Sequence, residues 1–106
     1  MSSQTITQPD QTTGVKPAAP WRVRALSVLA GWQLAVTFND GLQGLVELSD
    51  LVHGAAAGVF EPLRDPAFFA LAYLECGAVS WPNGADLAPS AMYKEIRRNG
   101  IWRVVD

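Results

Sequence analysis

The chain has 106 residues, enough for one small domain and too few for two catalytic ones. Its 49% hydrophobic and 17% charged residues exclude disorder along the whole length, and a formal net charge of -2 gives no cationic field to attract nucleic acid or anionic lipid. A single cysteine, Cys76, makes neither an intramolecular disulfide nor a cysteine-based zinc cage; with no signal-like opening and no membrane-length apolar run, the expected place is the cytoplasm.

Residues 1–20 are dominated by Ser, Gln, Thr, Pro and Ala and hold no aromatic residue, so they read as a flexible tail before a single domain over 21–106. In residues 21–29, Trp21, Val23, Ala25 and Leu29 share one parity and Arg22 and Arg24 the other, the pattern of a half-buried strand that Leu26 and Val28 blur towards its end. Ala30-Gly31 reads as a turn. Trp32, Leu34, Val36 and Phe38 then alternate with Gln33, Ala35 and Thr37, the clearest strand of the chain. Asn39-Asp40-Gly41 suits a tight hairpin, and residues 42–48 return with Val46 and Leu48 inward, which completes an antiparallel three-stranded meander.

Ser49-Asp50 can cap one helical turn through Val52 before His53-Gly54 and a run of small residues interrupt the pattern. Asp65-Pro66 is a stronger start signal, predicting a helix of two turns with Phe68, Leu71 and Ala72 on one face. Two short runs around Cys76-Gly77 predict a second hairpin that Pro82 stops. Pro89 opens a last helix with Met92, Tyr93 and Ile96 as its stripe and Asn99-Gly100 as its end; residues 101–106 read as a strand or an ordered terminus. The fold class expected is therefore α+β, a small antiparallel sheet and a second hairpin with two short helices.

No catalytic constellation is recognisable. His53, the lone histidine, reads as a surface loop residue rather than a base or ligand, and Cys76 as a packing residue rather than a reactive thiol. The glycines at 54 and 58 fit no phosphate-binding fingerprint. Arginines 22, 24, 97, 98 and 103 read as solvated faces, and the four tryptophans as core rather than stacking platforms. No cofactor or metal is expected. The most distinctive string is Trp81-Pro82-Asn83-Gly84-Ala85-Asp86-Leu87. Its structural reading has Trp81 in the core, Asn83-Gly84 in a turn and Asp86 satisfying nearby amides. Its functional reading is a candidate interaction loop of Trp81, Pro82, Asn83, Gly84 and Asp86 that offers polar tips to a partner. Turn chemistry already accounts for each residue type and favours the structural reading.

This string, with Phe38-Asn39-Asp40-Gly41 and Phe60-Glu61-Pro62-Leu63-Arg64-Asp65-Pro66, resembles the bacterial domain of unknown function 2442. Phe60, Leu63, Asp65 and Pro66 fit one motif; Trp81 to Leu87, Pro89 and Tyr93 fit the other. The resemblance implies a compact α+β fold without known catalytic residues. It also implies relatives fused to helix-turn-helix domains, and relatives encoded beside another small family in arrangements like toxin-antitoxin pairs. The molybdopterin-related label borne by some similar sequences is set aside, because the glycine-rich nucleotide-binding start is missing. The expected function is a non-enzymatic protein-interaction module, antitoxin-like in a two-gene pair, with a protein partner or a second copy and no direct nucleic-acid or membrane binding. The alternatives are a small-ligand sensor domain and an enzyme using Asp86, Asp65 or His53.

Overall fold

A computed structural model describes residues 19–105, so the tail expected over 1–20 lies, apart from Ala19 and Pro20, outside the described residues. Strands β1 (Val23–Leu29), β2 (Gln33–Phe38) and β3 (Gln43–Glu47) form the antiparallel meander, while β4 (Tyr73–Glu75) and β5 (Ala78–Ser80) form the separate hairpin. The last strand, β6 (Ile101–Arg103), lies parallel to β3, giving the order β1-β2-β3-β6. The main sheet is thus mixed rather than wholly antiparallel. Its fourth strand is held by the free edge of β3: Gly100 accepts from the Leu45 amide at 3.2 Å and Glu47 from the Val104 amide at 2.9 Å.

Alternation holds without exception in β2, where Leu34, Val36 and Phe38 are buried. It fails in β1. Val23 pairs with Phe38 and Ala25 with Thr37, so Arg24 is an extra residue, a β-bulge that resets the parity. Val23 is buried before the bulge; after it Leu26 and Val28 turn to the core, leaving Ala25 and Leu29 exposed. The blur in the sequence was the imprint of this bulge. Trp32, expected in the strand, stands in the turn at φ 58°, where its indole donates to the Leu63 carbonyl at 2.7 Å.

Helix α1 (Ser49–Val52) exists, but Ser49 and Asp50 lie inside it and Leu48 occupies the cap position without a side-chain bond. Arg64, at the end of a 3-10 segment Gly58–Arg64, secures the C-terminal end of α1: its guanidinium donates to the carbonyls of Val52 at 2.5 Å and Gly54 at 3.1 Å. Asp65 caps α2 (Pro66–Phe69) as expected, accepting from the Ala67 amide at 3.0 Å. That helix has one turn instead of two, and it buries Phe69, whereas Leu71 is exposed. Helix α3 (Pro89–Asn99) buries Met92 and Ile96 against the sheet and ends at Gly100, φ 79°.

The core lies between the sheet and these helices. Trp81 is the one fully buried tryptophan among the four; Trp21, Trp32 and Trp102 are half-buried. Each large side chain buried there contributes roughly 1.5–3 kcal/mol.

A polar clasp joins α3 to the β2–β3 turn. Asp40 accepts from the Leu42 amide at 2.9 Å and from the Tyr93 hydroxyl at 2.5 Å, and the Tyr93 ring stands edge-on to Phe38 at 5.1 Å. The Tyr93 hydroxyl, then the Leu42 amide, hold the Asp40 carboxyl below 3.8, and the same bond with desolvation raises the Tyr93 phenol above 10.0. The stabilisation from Asp40 is therefore present above the unfolded carboxylate value and is lost as pH falls through the depressed one. That from Tyr93 is present below the ordinary phenol value and is lost as pH rises through the raised one. Tyr93→Phe is expected to move Asp40 up towards the ordinary carboxylate range in an NMR titration; an unmoved Asp40 would contradict the clasp.

Candidate functional site

The 81–86 loop is built from the inside. Trp81 is buried, its indole donates to the Phe69 carbonyl at 2.9 Å, and its ring stacks on Phe69 at 5.8 Å with Phe60 edge-on at 6.5 Å. Its backbone closes the turn: the Trp81 amide donates to Ala85 at 2.9 Å and the Gly84 amide to Trp81 at 3.0 Å. Gly84 sits at φ 91°, a conformation that favours glycine. Asn83 is exposed yet engaged at both ends of its amide, accepting from Ala85 at 3.2 Å and donating to the Val59 carbonyl at 2.8 Å. Of the five loop candidates, Trp81 faces the core and Asn83 braces the loop against the 3-10 segment. Pro82, Gly84 and Asp86 face outward.

Asp86 does not satisfy nearby amides as its position suggested. Asn83 does that, and the Asp86 carboxylate has no hydrogen bond or ion pair among the described residues. It lines an open hollow of about 270 Å³ with Tyr73, Glu75 and Cys76. Cys76 is exposed rather than packed, at φ 52° in the two-residue turn with Gly77, a conformation that hairpin turns of this length require. The remaining motif residues serve the fold: Leu63 is buried, Phe60 leans on Trp81, Pro66 and Pro89 open α2 and α3, and Tyr93 clasps Asp40.

The three residues considered for catalysis stand in separate places. Asp86 lines the hollow beside Trp81, and Asp65 caps α2. His53 places Nδ1 2.9 Å from the Ser49 carbonyl, a contact that requires the proton on Nδ1, with its ring edge-on to Trp32 at 4.6 Å. Among the described residues no group of three His, Cys, Asp or Glu side chains is placed to hold a metal ion, and no helix is long and apolar enough to cross a membrane.

A different surface emerges along β1. The Phe38 amide donates to Leu42 across β2 and β3, so even-numbered residues of β2 bond to β3 and odd-numbered ones to β1. Their β1 partners are Ala25, Ser27 and Leu29. The amides and carbonyls of Leu26 and Val28 consequently point away from the sheet, where β1 has no hydrogen-bonded strand among the described residues. The start of this edge is covered, because the Val23 amide donates to Gly77 at 2.9 Å and the Arg22 guanidinium donates to the Cys76 carbonyl, and the β4–β5 hairpin packs alongside β1. The far end borders an apolar hollow of about 400 Å³, lined by Val28, Leu29, Trp32, Pro66, Phe69 and Ala70. The outer face of the sheet carries Ala25, Ser27, Ala35, Thr37 and Leu45 around another shallow hollow, with the Glu47–Arg103 ion pair towards its other end. Arg24, at the bulge, is exposed and without a partner among the described residues. Sequence reasoning missed Val28 and Leu29 here because the bulge reversed which of them faces outward.

No curated protein and no solved structure matches the chain. Residues 23–98 match the family described as Protein of unknown function (DUF2442), a span that runs from the first residue of β1 nearly to the end of α3 and takes in both motifs. The chain belongs to that family.

Proposed function

We propose that the protein is a non-enzymatic protein-interaction module, the antitoxin-like component of a two-gene pair, and that it acts through its sheet. The observation that carries this reading is the backbone row of β1, without a paired strand among the described residues, beside an apolar hollow. Exposed strand edges are a liability in an isolated domain and a template for a partner. Of the distinctive motif residues, Trp81, Asn83 and Asp65 are occupied within the fold, while the Asp86 carboxylate is not. Leu29 and Leu45, 38% and 37% exposed, add apolar surface to the same sheet without serving the core.

Coexpression with the product of the adjacent gene tests it. A stoichiometric complex that survives gel filtration is the expected result. A chain that stays free both there and on purification from its native host overturns the reading, and a ligand-dependent rise in Tm without any partner would point to a sensor domain instead.

A further inference from the structure

We draw no further inference here: the strongest candidate, the hollow beside the β4–β5 hairpin where the Asp86 carboxylate stands with Tyr73, Glu75 and Cys76, rests on two acidic side chains and a lone cysteine, and nothing else in the structure points to what it would bind.

Discussion

Trp81→Ala is expected to destabilise the domain by about 3–5 kcal/mol, the usual range for deleting a buried aromatic side chain. Trp81 is 1% exposed and joins three parts of the chain: the end of β5, the last residue of α2 through the Phe69 carbonyl, and the 3-10 segment through Phe60. Its loss leaves a cavity, breaks the stack on Phe69 and removes the shorter of the two hydrogen bonds that the Phe69 carbonyl accepts. Small domains have roughly 5–15 kcal/mol in total, so the variant should approach unfolding at physiological temperature. At about 4–8 °C per kcal/mol, the melting temperature should fall by more than about 12 °C. Trp81→Phe separates the contributions, since it keeps most of the ring and removes the indole hydrogen bond at a cost of about 0.5–1.5 kcal/mol, the Phe69 carbonyl still accepting from the Ala72 amide at 3.3 Å. Equal stability of the wild type and Trp81→Ala in urea titration would contradict the packing described.

The second large effect is at Gly44. This residue faces α3 from the middle of β3, and a Cβ there would run into the Ile96 side chain and lie 2.9 Å from the Gly100 carbonyl. Ile96 is buried and cannot swing away; the Gly100 carbonyl is fixed by the Leu45 amide. Gly44→Ala should therefore cost about 1–3 kcal/mol and Gly44→Val more, although both raise intrinsic strand propensity. A midpoint in guanidinium at or above that of the wild type would show that α3 does not approach β3 so closely. Hydrogen exchange adds a local readout: the Val104 amide, which bonds to Glu47, should lose protection first as β6 is pushed aside.

How much of the fold was legible in the sequence depends on how local each signal is. β2, the β4–β5 hairpin, the Asp65 cap and the Met92-Ile96 stripe rest on spacing and turn chemistry within a few residues, and they stand where those signals place them. The bulge at Arg24 was present only as a parity slip, because a bulge is defined against the partner strand. The parallel pairing of β6 depends on a strand more than fifty residues earlier and left no local mark. At the candidate site the motif itself was plain, but its meaning required partners: Asn83 turned out to bond to Val59 and Asp86 to bond to nothing among the described residues. Arg64, unmarked in sequence, secures the carbonyls at the end of α1 and beyond it.

Amide hydrogen exchange on the free and partner-bound chain tests the central claim most directly. In the free protein the Leu26 and Val28 amides should exchange quickly while those of Ser27 and Leu29, bonded to β2, stay protected. On binding the partner, protection should appear at Leu26 and Val28 and leave the 82–86 loop unchanged. Protection that appears in the loop instead, with the β1 edge still exchanging freely, would contradict the account.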